Sequence, residues 1–143
     1  MFHRITLIGF IGQEPQMRYT EDGTPVTNFS VATRQAVSKD RVASCPQGWK
    51  ESINGKNWEL TTWFRVTCWR KLAESAAQYL KKGQAVLVEG EIDASAWTDK
   101  EGNPRASLEL NALTWRFVGG RGDGGEAAGG AGEEIVGEDD IPF

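Results

Sequence analysis

Alternating strand patterns, one helical interlude and an abrupt change of composition predict an all-β body with one helix, followed by a disordered C-terminal tail. The strand patterns are short β-rich runs separated by turn residues, and they fill most of residues 1–118. The helical interlude falls between the third and fourth runs. The change of composition comes at Val118, after which glycine and acidic residues dominate.

Ile5 to Ile11 is the first run, ended by Gly12-Gln13-Glu14-Pro15. Val26 to Arg34 is the second, where Phe29, Val31 and Thr33 alternate with Asn28, Ser30 and Ala32. Glu21-Asp22-Gly23-Thr24 between them carries turn chemistry. Thr61 to Arg70 is the third run. Lys71 to Lys82 then sets Leu72, Ala76, Tyr79 and Leu80 at helical spacing. Gly83 is expected to cap this helix, with Lys81 and Lys82 in its last turn. Ala85 to Asp93 is the fourth run. A hairpin follows, with Trp97 ahead of the turn residues Asp99 to Pro104 and a returning strand from Ala106 to Phe117. Gln35 to Leu60 is long for a connection and is expected to form an extended hairpin or flap, partly mobile. Three strands, one helix and then further strands is the order of the OB-fold, a five-stranded Greek-key barrel with a helix between strands three and four. An SH3-like barrel lacks that helix.

The tail, residues 119–143, holds nine glycines, and its only large apolar residues are Ile135, Val136, Ile141 and Phe143. Such a segment cannot bury enough surface to offset the entropy of ordering it. Residues 1–118 therefore read as the globular domain, 119–137 as a flexible acidic linker and 138–143 as a separate tip. The tip, Glu138-Asp139-Asp140-Ile141-Pro142-Phe143, offers carboxylates, a rigid proline and an apolar pair, which is the chemistry of a docking peptide. The net charge of −4 hides a division: the tail carries one Arg against seven acids, whereas the body carries an excess of two basic residues. A basic body with an acidic tail suits a binder of nucleic acid.

Other classes fit poorly. His3 is the single histidine, and Cys45 and Cys68 lack metal-ligand spacing, so no metal site and no cofactor is expected. Clustered acids, a nucleophile–base pair and a phosphate-cradling glycine loop are missing, which argues against an enzyme. No stretch is long and apolar enough for a membrane span, and the N-terminus lacks the apolar core of a signal peptide, so a cytoplasmic protein with reduced thiols is expected.

The third strand carries the chemistry. Alternation places Phe64, Val66 and Cys68 on one face, expected to line the barrel, and Trp63, Arg65, Thr67 and Trp69 on the other. Two tryptophans and an arginine on an outward face make a stacking platform for unpaired bases, each contact contributing about 1–3 kcal/mol with little regard to sequence. Trp97 adds a third ring. Arg34, Arg65, Lys71, Lys81 and Lys82 are candidate phosphate contacts. Trp115, alternating with Leu113 and Phe117, reads as packing or interface, and Trp49 and Trp58 as either binding residues or loop anchors.

These segments, taken together, resemble the bacterial single-stranded DNA-binding proteins over residues 5–118. The resemblance rests on Ile8-Gly9-Phe10-Ile11-Gly12-Gln13-Glu14-Pro15 with Arg18-Tyr19, Asn28 to Thr33, Thr62-Trp63-Phe64-Arg65-Val66 and Lys71-Leu72-Ala73-Glu74. Tyr79 to Gly83, Val88-Glu89-Gly90, Trp97-Thr98-Asp99 and the Asp-Asp-Ile-Pro-Phe tip complete it. It implies an OB-fold that assembles as a homotetramer, with single-stranded DNA wrapped around it. It also implies stacking by Trp63, Trp69 and Trp97, basic contacts by Arg65 and Lys71, and docking of Asp139, Asp140, Ile141, Pro142 and Phe143 on replication, recombination and repair proteins at the bacterial nucleoid. Three features depart from the family pattern. Val37 stands where many members place another stacking tryptophan, Phe64 stands where well-known members carry a histidine linked to assembly, and the flap is longer than usual. Two other functions fit the residues alone: a protein-docking OB module whose aromatic face is an interface, and an RNA-binding OB module.

Overall fold

A computed structural model describes residues 1–119 of the chain. Seven strands and one helix follow in the order β1 (Ile5–Ile11), β2 (Gln16–Tyr19), β3 (Pro25–Ser38), β4 (Lys50–Glu51), β5 (Asn57–Trp69), α1 (Arg70–Tyr79), β6 (Ala85–Thr98) and β7 (Pro104–Phe117). The tail segment from residue 120 onward, with the linker and the docking tip expected there, lies outside the described residues.

Five of the strands close a barrel. β1 pairs antiparallel with β3 and with β6, β3 with β5, and β6 with β7. The ring is completed by a parallel ladder between β5 and β7, with Phe64 opposite Leu108 and Val66 opposite Leu110. This is the OB-fold expected from the element order. Period-two alternation explains the core: Leu7, Ile11, Phe29, Val31, Phe64, Val66, Cys68, Val86, Val88, Leu110 and Trp115 all point inward and are buried. The barrel must bend sharply to close, and it does so at Glu89–Gly90, where the β6–β7 register shifts. Gly90 is required there, because a Cβ would stand 2.1 Å from the Asn111 carbonyl oxygen.

Helix α1 closes one end of the barrel. Its apolar stripe of Leu72, Ala73, Ala76 and Tyr79 packs on the core together with Leu80, against β3 and β5. The buried Thr27 hydroxyl donates to the Ala73 carbonyl (2.7 Å), which ties the helix to β3. The helix expected over Lys71 to Lys82 starts one residue earlier and ends three residues earlier. It runs Arg70–Tyr79, and Leu80 already has extended backbone (φ −84°, ψ 137°) as it dips into the core. Lys81, Lys82 and Gly83 therefore lie beyond the helix. Gly83 donates its N–H to Ile11 O (2.8 Å) and serves the turn into β6 rather than the helix cap. At the other end Arg70 takes φ 55°, turning the chain out of the strand direction into the helix.

Strand boundaries also differ from expectation, with β6 running on to Thr98 and β7 beginning at Pro104. β3 runs on to Ser38 and β5 begins at Asn57, so that the register Ser38↔Asn57 to Val26↔Trp69 forms one continuous hairpin. The expected flap is thus a real hairpin extension, with 39–56 as its tip. The turn at Glu21–Gly23 joins the additional strand β2 to β3, pairing Tyr19 with Pro25, instead of joining β1 directly to β3.

Candidate nucleic-acid interface

Strand β5 carries its two sets of side chains as alternation requires. Phe64, Val66 and Cys68 are buried in the barrel, while Trp63 and Trp69 remain 55% and 44% exposed. Burial pushes the Cys68 thiol up to about 12, so it stays protonated and inert. Outward neighbours follow from the register. Trp63 lies opposite Ala32 and Arg65 opposite Ser30 on β3. Across the parallel ladder Arg65 lies beside Glu109, and on β6 Trp97 lies opposite Arg105. By parity Trp97, Arg105, Ser107, Glu109, Arg65, Trp63, Ser30 and Arg34 all share the outer face of the sheet β3-β5-β7-β6.

The structure brings Trp63 and Arg65 into one open groove of about 810 Å³. Gly12, Gln13 and Glu14, Met17 and Arg18 of β2, and Asn28 and Ser30 of β3 line it as well. Trp97, 44% exposed, stands two strands away near the tip of the β6–β7 hairpin. Trp69 is six residues from Trp63 along β5, roughly 20 Å at the rise of a strand. The three rings are therefore spaced along a path and do not form a cluster, which suits an extended polymer better than a compact ligand.

The basic residues are distributed differently. Arg65 pairs with Glu109 (3.7 Å), both side chains exposed, and Arg34 pairs with the half-buried Glu59 (3.9 Å). Exposed pairs of this kind are weak, about 0–1 kcal/mol. Lys71 is exposed at the start of α1, two residues beyond Trp69. Lys81 and Lys82 are exposed beside the end of β1, where the Lys82 N–H donates to Glu14 of the groove wall (3.1 Å). These three lysines border the platform and do not lie in it.

Sequence reasoning missed the acidic partners. Glu109 alternates with Leu108 and Leu110, so its outward direction could be read, but its place beside Arg65 depends on the β5–β7 register. It also missed Met17 and Gly12 as lining residues, and the exposed Arg70 adjoining Trp69. The other three tryptophans are Trp115, packed in the core, and two half-buried residues, Trp58 at the start of β5 and Trp49 in the flap. Trp115 is 3% exposed and meets Phe117 edge-on at 5.3 Å. Trp58 donates its indole N–H to Val42 O (3.0 Å) and lies under Lys39 (4.5 Å to the ring). Trp49 is half-buried in the flap, where its carbonyl accepts from Cys45 Sγ.

A closed OB barrel whose outer face presents spaced aromatic rings among cations defines a class, the strand-binding OB modules. Within it, the chain belongs to the single-strand binding protein family, whose sequence profile matches residues 2–118. It is 37% identical over 121 residues to single-stranded DNA-binding protein 1 of Xylella fastidiosa, covering 85% of this chain and 80% of that protein. It is 38% identical over 129 residues to a single-stranded DNA-binding protein of Neisseria meningitidis, covering 90% of this chain and 65% of that one. The crystal structure of a small single-stranded DNA-binding protein from Streptomyces coelicolor superposes with a TM-score of 0.62 at 21% identity, over 81% of this chain and 94% of that one. That likeness carries the fold alone. Among the described residues no group of three or more His, Cys, Asp and Glu side chains could hold a metal ion, and no helix is long and apolar enough to cross a membrane.

Proposed function

We propose that the protein binds single-stranded DNA without regard to sequence and acts by binding, with no catalytic step. The observation that carries this reading is the outer sheet face: Trp63, Trp69 and Trp97 are each 44–55% exposed on a barrel of this family, among Arg34, Arg65 and Lys71. Bases stack on the rings, and phosphates replace Glu109 on Arg65 and Glu59 on Arg34. Lys81 and Lys82 extend the electrostatic border. Single strands exposed in replication, recombination and repair are protected in this way.

Assembly and recruitment complete the proposal. Phe10 on β1 and Leu113 and Phe117 on β7 keep 38–49% of their surface exposed, which supports burial between subunits of a homotetramer. The Asp139-Asp140-Ile141-Pro142-Phe143 tip, which follows a Gly-rich acidic segment, recruits partner proteins of DNA metabolism. The site of action is the bacterial nucleoid.

The test is a tryptophan fluorescence titration with oligo(dT) against a duplex of equal length. Strong quenching by the single strand alone is expected, weakening as salt rises because phosphate contacts release counterions. Quenching by neither ligand would make the aromatic face a protein interface, and tighter binding of oligo(U) than of oligo(dT) would favour an RNA-binding module. Deleting Ile141-Pro142-Phe143 is expected to abolish partner docking and spare strand binding.

A further inference from the structure

We infer that Gly12 and Ser30 are positioning residues: they form a seat that fixes the Trp63 ring as a stacking platform. The inference rests on the strand-binding reading above and deepens it. Gly12 directly follows β1, and its N–H donates to Ser30 O (2.9 Å), which holds the residue just past the strand against β3. Ser30 is the partner of Arg65 across β3 and β5, one outward step from the Ala32–Trp63 pair. A Cβ built on Gly12 would stand 2.3 Å from Trp63 Cζ3, 2.8 Å from Cη2 and 3.0 Å from Ser30 Oγ. The benzo edge of the indole therefore rests against the bare Cα of Gly12, next to the small side chain of Ser30.

Trp63 nevertheless keeps 55% of its surface exposed. One edge of the ring is held by protein while much of it faces the groove. A ring held in place loses less rotamer freedom when a base arrives, so the seat contributes to affinity without touching the ligand. Ser30 Oγ is buried beside the seat.

Gly12 is not among the glycines with positive φ, so alanine there meets no backbone strain. The atoms it would meet are the far end of a side chain, so the ring is expected to swing away while the barrel survives. Trp63→Phe removes both contacted atoms, which makes the effect of Gly12→Ala conditional on Trp63. A double-mutant cycle tests this. Wild type, Gly12→Ala, Trp63→Phe and the double variant are titrated with oligo(dT), and the thermal midpoint of each is recorded. Gly12→Ala is expected to weaken binding about fivefold or more beside Trp63, the scale of one lost stack, and less than about twofold in the Trp63→Phe background. Equal penalties in both backgrounds would overturn the seat. Should Gly12→Ala fail to fold, Trp63→Phe must restore folding, and failure to do so overturns the seat as well. Absence of binding by the wild-type chain would overturn the strand-binding reading itself, whereas wild-type binding with uncoupled penalties removes only the seat.

Discussion

The two long hairpins of this barrel, β3–β5 and β6–β7, each carry a tryptophan near the tip and put it to opposite uses. On β6–β7, the tip is organised by Asp99. Its carboxylate accepts from the N–H groups of Asn103 (2.8 Å) and Glu101 (3.0 Å) and from Arg105 Nε (2.9 Å). Trp97 takes no part in that network and stays 44% exposed. On β3–β5, the tip is longer, and Trp58 takes part in organising it. Its N–H is spent on Val42 O and its face on Lys39, which also pairs with Glu51. Trp97 stands outside the network that holds its turn, whereas Trp58 is one of several contacts, with Ser52, Asn54 and the Lys39–Glu51 pair, that hold its tip.

The largest effect that could break this contrast comes from deleting the two rings. Trp97→Ala is expected to weaken oligo(dT) binding by about 1–3 kcal/mol in titration and leave the thermal midpoint nearly unchanged. Trp58→Ala is expected to do the reverse, costing about 1–2 kcal/mol of stability in denaturant unfolding with affinity changed less than about twofold. An exchange of these outcomes would make the flap the binding element.

A smaller effect sharpens the anchor. Lys39→Ala removes the cation over Trp58 and the pair with Glu51, and is expected to cost about 0.5–1 kcal/mol, seen as faster hydrogen exchange or proteolytic nicking confined to 39–56. The smallest effect concerns Asp99. Its carboxyl is held below the usual value of 3.8, first by the Asn103 N–H and then by the Arg105 guanidinium. A lowered folded-state pKa means the support is complete above 3.8 and is lost as pH falls through the lower value. Amide shifts of Glu101 and Asn103 are expected to titrate together in that acid window, with Asp99→Asn abolishing the titration.

The barrel was legible because its signals are local. Alternation in β5, the helical stripe of Leu72, Ala76 and Tyr79, and the turn chemistry before Pro104 each follow from neighbours in sequence. What was not legible depends on partners far away. The helix ends early because Leu80 is drawn into the core, a tertiary gain that overrides the cap suggested by Gly83. β3 and β5 extend past the residues expected because each supplies the other's ladder, down to Ser38 and Asn57. At the site, the outward direction of Trp63, Arg65 and Trp69 could be read from period two alone. The carboxylates facing Arg65 and Arg34 could not, since they are set by registers with β7 and within the hairpin. Gly12 was visible as a turn residue, but its contact with Trp63 joins the turn after β1 to a position far along the chain on β5.

Strand β5 writes two messages in one line of text. Every second letter specifies the inside of the barrel, and the letters between specify what the outside can grip. The two can be edited separately: a change at Trp63 or Arg65 alters the grip and leaves the interior wording intact, and a swap among Phe64, Val66 and Cys68 does the converse. They cannot be shifted separately, because sliding the line by one letter would exchange the messages and ruin both. A chain copied with that frame intact can explore new ligands at its surface for as long as the interior still reads as a barrel.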